Sequence, residues 1–218
     1  ASSGEWKAMV ADEAARTTFA KNIKTVLEKN KLDGIDLDFE WAENEKEYKD
    51  YSLAILKMRE VLGDKYLFSV SLHPVCYKIS KEAIEAVDFI SLQCYGPSPV
   101  RFPIEKYCSD IQMVLEYGIP KEKLVAGVPF YGVTKDNSKK TEAYFNFVQN
   151  GLVTSPAQNE VIYQGDTYVF DGQDNIRIKT RYAKEQKLKG MMSWDLATDL
   201  PLSDSRSLLK TMTEELRE

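Results

Sequence analysis

One octapeptide, Asp33-Gly34-Ile35-Asp36-Leu37-Asp38-Phe39-Glu40, holds most of the chemistry in this sequence. Its alternation of polar and apolar residues is that of a β-strand, in which successive side chains point to opposite faces. Asp36, Asp38 and Glu40 therefore share one face, roughly 6.5 Å from one to the next, and Ile35, Leu37 and Phe39 share the other. The apolar face has to pack against neighbouring elements, so the carboxylates are expected to point inward. Three like charges in a row are costly to bury. The expected relief is a proton held by one carboxyl, which creates a general acid of raised pKa. Glu40, nearest the C-terminal end of the strand, is the natural proton donor. Two other readings stand beside this one. Three acids could hold Mg²⁺ or Ca²⁺, although the calcium-loop spacing is absent and a strand spreads its ligands widely. They could also form an exposed acidic edge, which fits poorly with an apolar alternate face.

The elements that must position these residues are visible as a repeated alternation. Short runs rich in Val, Ile, Leu and Phe occur at Gly34–Trp41, Tyr66–His73, Asp88–Tyr95, Lys123–Tyr131 and Gly190–Leu196. Helical patterns lie between and around them, at Asp12–Asn30, Glu45–Leu62, a shorter helix capped by Ser80, Pro103–Tyr117, Arg177–Lys189 and Ser203–Leu216. Alternating strands and helices imply a parallel sheet with right-handed crossovers. Polar residues recurring on one parity of several strands favour a barrel lumen over a doubly wound sheet, whose central strands read as continuous apolar runs. Five strand units fit, whereas an eightfold barrel usually takes about 250 residues, so part of a barrel is expected. The segment Gly132–Gln173 reads as a long polar loop on the active face, with a helix-like piece at Glu142–Gln149.

Composition excludes several classes. A chain of 218 residues with 43% hydrophobic and 29% charged residues buries one large core, which rules out disorder and fibrous structure. The net charge of −5 and the absence of a basic stripe argue against nucleic acid as a partner. No apolar run approaches the roughly 18 residues of a membrane span, and Ala1–Lys7 lacks the regions of a signal peptide, so no membrane association is expected and any export signal lies outside. Cys76, Cys94 and Cys108 suggest neither a disulfide framework nor a zinc site and read as small buried hydrophobes. His73 is the only histidine, which excludes multi-histidine metal sites; its apolar setting marks it as structural or pocket-lining.

The octapeptide resembles the DGxDxDxE signature of glycoside hydrolase family 18, the family of chitinases and of some endo-β-N-acetylglucosaminidases. The resemblance continues in order along the chain. Ser3-Gly4, Trp6–Val10 and Arg16–Phe19 look like the segment after the family's third strand. Gln93-Cys94-Tyr95 stands where the sixth strand carries Met-x-Tyr-Asp, and Leu124–Gly132 is similar to the seventh-strand run ending Pro-Phe-Tyr-Gly. Gly190–Asp195 looks like the eighth strand with its tryptophan. The resemblance implies a TIM-type (β/α)8 barrel, here a partial barrel equivalent to strands 4 to 8, with residues 1–218 forming one catalytic domain incomplete at its N-terminus.

By the same resemblance, Glu40 protonates the glycosidic oxygen, Asp38 turns between Asp36 and Glu40 to hold the substrate acetamide, and Asp36 is its partner. Tyr95 hydrogen-bonds the acetamide, and Trp194 lies under the sugar. The sugar's own acetamide carbonyl acts as nucleophile, an exception to the two-carboxylate scheme of most glycosidases. Gln93 in place of Met and Gly96 in place of Asp are departures similar to the endo-β-N-acetylglucosaminidase branch, which leaves chitin and N-glycan cores both open as substrates. Trp41 and Tyr131 are further expected cleft residues. The implied partner is an N-acetylglucosamine-containing polysaccharide or glycan, with no cofactor and no metal. Family analogy points to secretion or the cell envelope, and the open edges of a partial barrel to self-association and low activity of the isolated chain.

Overall fold

The computed structural model describes residues 4–96, 102–136 and 140–217. The chain divides into two compact units, Ala1–Leu92 with Val114–Leu124, and Gln93–Met113 with Val125–Glu218. The first holds α1 (Gly4–Ala11), α2 (Glu13–Asn30), β1 (Gly34–Asp38), α3 (Glu45–Leu62), β2 (Leu67–Leu72), α4 (Lys81–Ala86) and β3 (Phe89–Leu92). It also takes the last turn of α5 (Ile104–Tyr117) and the first residue of β4 (Leu124–Pro129).

Helix starts follow capping chemistry. Asp12, Asn44 and Ser80 stand at the N-caps of α2, α3 and α4, and each side chain accepts a hydrogen bond from the amide three residues on. The strands pair in parallel, with Gly34 opposite Leu67 through Asp38 opposite Ser71, and Ser69 opposite Phe89 through Leu72 opposite Leu92. Gly34 is required by close approach, since a Cβ there would lie 2.2 Å from the Leu67 carbonyl oxygen. Behind the sheet, Phe39 is only 2% exposed and packs on Trp6 at 5.7 Å and Tyr51 at 4.8 Å between ring centroids. Arg59 ties the far end of the unit, donating to the carbonyls of Ala86, Gly63 and Tyr66 and pairing with Asp88 at 2.7 Å.

In the second unit β4 runs parallel to β9 (Gly190–Trp194), from Val125 opposite Gly190 to Pro129 opposite Trp194. Between them in sequence lie β5 (Tyr131–Thr134), β6 (Thr141–Ala143), α6 (Tyr144–Gln149), β7 (Glu160–Tyr163), β8 (Asp166–Val169) and α7 (Gln173–Glu185), and α8 (Leu208–Arg217) follows β9. Strands β5 to β8 form an antiparallel sheet in the order β6-β5-β8-β7. A buried ion pair lies in this unit. Lys179 and Asp171, each 1% exposed, meet at 2.5 Å, with Asn175 also donating to the carboxylate and the Tyr107 ring 5.5 Å from the ammonium.

All five expected strands are present, and α3 has the expected bounds. Four expectations are corrected. The polar stretch Gly132–Gln173 is a small sheet with a short helix and not an elaborated loop, because β7 and β8 are joined by a tight turn at Gln164 (φ 51°) and Gly165 (φ 87°). α7 starts four residues before Arg177 and stops at Glu185, with Lys187 in the left-handed region (φ 58°). α8 begins at Leu208 because the Asp199 carboxylate accepts from the Leu208 and Leu209 amides, and Ser207 Oγ from that of Lys210, leaving Ser203–Ser207 outside the helix. Cys108 is half-buried on α5, while Cys76 and Cys94 are buried as expected. Among the described residues no helix is long and apolar enough to cross a membrane.

Candidate active site

Asp36, Asp38, Glu40 and Trp41 belong to the first unit. The alternation on β1 is as the sequence demands, with Leu37 and, past the strand's end at Asp38, Phe39 buried between the more exposed Asp36, Asp38 and Glu40. Their burial is not as expected: Asp36 and Asp38 are exposed and Glu40 is half-buried. Among the described residues β1 is hydrogen-bonded on one side only, to β2, so the burial cost reckoned for the carboxylate row falls away. Asp36 sits opposite Ser69, and its two oxygens accept from Ser69 Oγ at 2.6 Å and Ser71 Oγ at 2.7 Å. Charge-assisted bonds of this length fix the carboxylate's orientation.

The chain beyond Glu40 is clamped by several groups. The Ala42 amide donates to Cys76 Sγ at 3.2 Å, and the Glu43 amide donates to Glu47 Oε2 at 2.8 Å. Lys7 bridges Glu43 and Glu47 at 2.9 Å each. Trp41 lies against the buried ring of His73, with centroids 5.2 Å apart. His73 and Cys76 are themselves joined by two backbone hydrogen bonds that close the turn after β2. Burial pushes the Cys76 thiol above its ordinary pKa and outweighs the Ala42 amide, so at neutral pH it is an un-ionised acceptor. Beneath the strand, the Tyr51 hydroxyl donates to the Leu37 carbonyl at 3.3 Å; burial first, then Cys76, Asp36 and Asp38, hold this phenol well above its ordinary range.

Gln93, Tyr95, Tyr131 and Trp194 belong to the second unit. Tyr95 is buried, its hydroxyl 3.9 Å from Met192 Sδ and its ring nearly perpendicular to that of Tyr131 at 6.4 Å. Gln93 is half-buried one residue after β3. Trp194, the last residue of β9, is 57% exposed, while its backbone carbonyl accepts from the Phe130 amide at 2.8 Å. A large apolar ring left in solvent on a rigid strand end is a ready stacking platform.

Beside Trp194 opens a cavity of about 330 Å³ lined by Tyr131, Thr141, Glu142, Asp195 and Thr198 among others. Glu142 and Asp195 were not among the sequence-predicted site residues. Asp195 was visible only as the residue after the tryptophan, and Glu142 only as the start of a helix-like piece. The signal that could have found Glu142 is its place on β6, paired with β5 through Gly132. Among the described residues no three His, Cys, Asp or Glu side chains gather as a metal-holding group.

The family model described as glycosyl hydrolases family 18 matches residues 1–199. Probable chitinase 2 of Drosophila melanogaster is 23% identical over 261 residues, an alignment that takes in 90% of this chain and 54% of that protein. This chain thus spans about half the length of that relative. Among solved structures, the GH18 chitinase from the chitin utilization locus of Flavobacterium johnsoniae superimposes with a TM-score of 0.80 at 26% identity, covering 96% of this chain and 68% of that one. A chitinase-like agglutinin from Robinia pseudoacacia gives a TM-score of 0.80 at 19% identity, covering 96% and 75%. These likenesses identify the five parallel strands as part of a TIM-type (β/α)8 barrel fold.

Proposed function

The chain belongs to glycosyl hydrolase family 18, and from that premise we propose that it cleaves β-1,4-linked N-acetylglucosamine, as in chitin or chito-oligosaccharides, with retention of configuration and with residues 1–218 acting as one catalytic domain. The observation that carries this reading is the division of labour on β1. Leu37 and Phe39 are buried and anchor the segment, while Asp36, Asp38 and Glu40 alternate with them towards and just beyond the strand's C-terminal end, where barrel enzymes do their chemistry.

In this reading Glu40 donates its proton to the glycosidic oxygen as the bond to the anomeric carbon breaks. The carbonyl oxygen of the same sugar's 2-acetamido group forms the new bond to that carbon, giving an oxazolinium ion. Water, deprotonated by the Glu40 carboxylate, then opens the ring and restores the acid. Asp38 holds the acetamide nitrogen, and Asp36, oriented by Ser69 and Ser71, holds Asp38 in turn. Tyr95 supports the acetamide carbonyl in line with the anomeric carbon, which is catalysis by positioning. Trp194 supplies the stacking floor, and Gln93, Trp41 and Tyr131 complete the substrate contacts. The reaction needs no cofactor and no metal. An N-acetylglucosamine-containing polymer as substrate points to secretion or the cell envelope by family analogy, and the hydrogen-bonding edge of β1 supports self-association.

The test is Glu40→Gln. The amide keeps the shape but carries no transferable proton, so turnover of a chromogenic N-acetylchitobioside should fall about 10²- to 10⁴-fold while sugar binding persists. Turnover close to wild type would remove Glu40 from the role. A second reading, action on the chitobiose core of N-glycans, is favoured by Gln93 and Gly96 at the departures described above. Product analysis on chitin oligomers and high-mannose glycopeptides separates the two. Binding of both without release of product would instead favour a carbohydrate-binding role, as the agglutinin likeness suggests.

A further inference from the structure

Two successive residues of α1 bracket Glu40. The Trp6 ring packs on Phe39, the residue before it, and the Lys7 ammonium reaches Glu43, a short way after it, together with Glu47 at the start of α3. Among the described residues no hydrogen bond or ion pair ties down the Glu40 side chain itself, so its position is inherited from its flanks. Glu47 is the hub on the far flank. Its Oε2 accepts from the Glu43 amide at 2.8 Å and lies 2.9 Å from Lys7 Nζ, while its Oε1 accepts from Asn44 Nδ2 at 2.9 Å. Lys7 foremost, then the Glu43 amide, holds the Glu47 carboxyl below its ordinary value, so the latch carries both its charges at neutral pH.

Resting on the reading of Glu40 as the proton donor, we infer that Lys7 and Glu47 are positioning residues for the reaction, their ion pair latching the chain after Glu40 to α1 and α3 so that the carboxyl stands where the glycosidic oxygen arrives. Both side chains are partly open to solvent, at 28% and 21% exposure. An ion pair so placed adds little to global stability, so its worth lies in what it holds still. The bonds it organises are charge-assisted, which fixes direction as well as distance. Trp6 on Phe39 and Lys7 on Glu43 and Glu47 make α1 the common support on both sides of the acid.

The experiment measures kcat, KM and the urea midpoint of the full chain and its variants, with an uncharged chromogenic N-acetylchitobioside as substrate. Lys7→Met removes the cation, and Glu47→Gln keeps an acceptor oxygen for the Glu43 amide while dropping the charge that Lys7 meets. Each should lower kcat about three- to tenfold with KM and the urea midpoint nearly unchanged. The loss stays below the roughly 10²-fold of a 1 Å misplacement because the Ala42–Cys76 and Trp41–His73 contacts remain. The double variant should lose no more than the worse single one, since either change opens the same latch. Lys7→Arg should recover most of the activity, and added salt should lower kcat more in the wild type than in Lys7→Met. A mere field effect on Glu40 would move the two single variants in opposite directions, because one loses a positive and the other a negative charge. Wild-type kcat in Lys7→Met, opposite shifts in the two variants, or a loss that follows a lowered urea midpoint overturns the inference while leaving the hydrolase reading intact. No turnover by the wild-type chain, shown folded by circular dichroism, overturns both.

Discussion

Replacing Cys76 by Ala tests whether the turn after β2 places the acid. The side chain is 1% exposed, and its sulfur is the acceptor for the Ala42 amide, two residues beyond Glu40. Truncation leaves that buried amide without a partner, at about 1 to 3 kcal/mol. It also removes one buried heavy atom, worth about 1 kcal/mol by transfer. The sum is a loss of about 2 to 4 kcal/mol, read as a lower urea midpoint at unchanged slope. Cys76→Ser keeps an acceptor at the same place and should lose about half as much. In the proposed mechanism the functional consequence runs through Glu40, because a misplacement of about 1 Å at a reacting group can cost 10²-fold. The Ala variant should therefore lose about ten- to a hundredfold in kcat on a chromogenic N-acetylchitobioside with KM nearly constant, and the Ser variant only a few-fold. Equal losses for Ala and Ser would show that volume, not hydrogen bonding, is what Cys76 contributes. An Ala variant with wild-type kcat would show that the segment is held by Lys7, Glu47 and the His73–Trp41 contact without it.

Further outcomes can be checked by equilibrium unfolding. Lys179→Met strands the buried Asp171 carboxylate and should cost about 3 to 5 kcal/mol, whereas the double variant with Asp171→Leu should recover most of it. Recovery absent from the double variant would mean that shape and not charge dominates there. On the acid side, the Arg206 side chain and backbone hold the Asp204 carboxyl down to about 2. At Asp88 burial pushes upward, but the Phe68 amide and Arg59 outweigh it and hold the carboxyl below its ordinary value. Both groups are depressed in the folded state, so their stabilisation is complete above an unfolded value of about 3.9 and is lost as pH falls through the folded one. Asp204→Asn should flatten the stability profile between about pH 4 and pH 2, and an unchanged slope there would remove Asp204 from the account.

The parallel core was readable because its signals are local. Period-two alternation fixed which face of β1 carries Asp36 and Asp38, and Asp12 and Ser80 marked helix starts that the backbone uses. Exposure of the carboxylates was not readable, because it depends on how many neighbours a strand has, and alternation says nothing of that. The small antiparallel sheet was missed for a different reason. Its strands are only three or four residues long, so their alternation is too brief to stand out, although Gln164-Gly165 between Glu160–Tyr163 and Asp166–Val169 was a hairpin signal. Glu142 was lost with that sheet. The start of α8 was equally hidden, since it is set by Asp199, nine residues upstream of Leu208, and not by an adjacent cap.

The two faces of β1 have separate fates under mutation. Leu37 and Phe39 sit in close-packed surroundings where nearly every substitution costs stability, while Asp36 and Asp38 are exposed and Glu40 is half-buried, so changing them costs less packing. Selection on folding therefore guards the apolar face more closely than the acid face. On the proposed reading, a lineage that stopped needing the acid could lose it in a single step at little cost in stability and regain cleavage by the reverse change. On that reading the line between an enzyme and a receptor for the same glycan is one proton-bearing side chain wide.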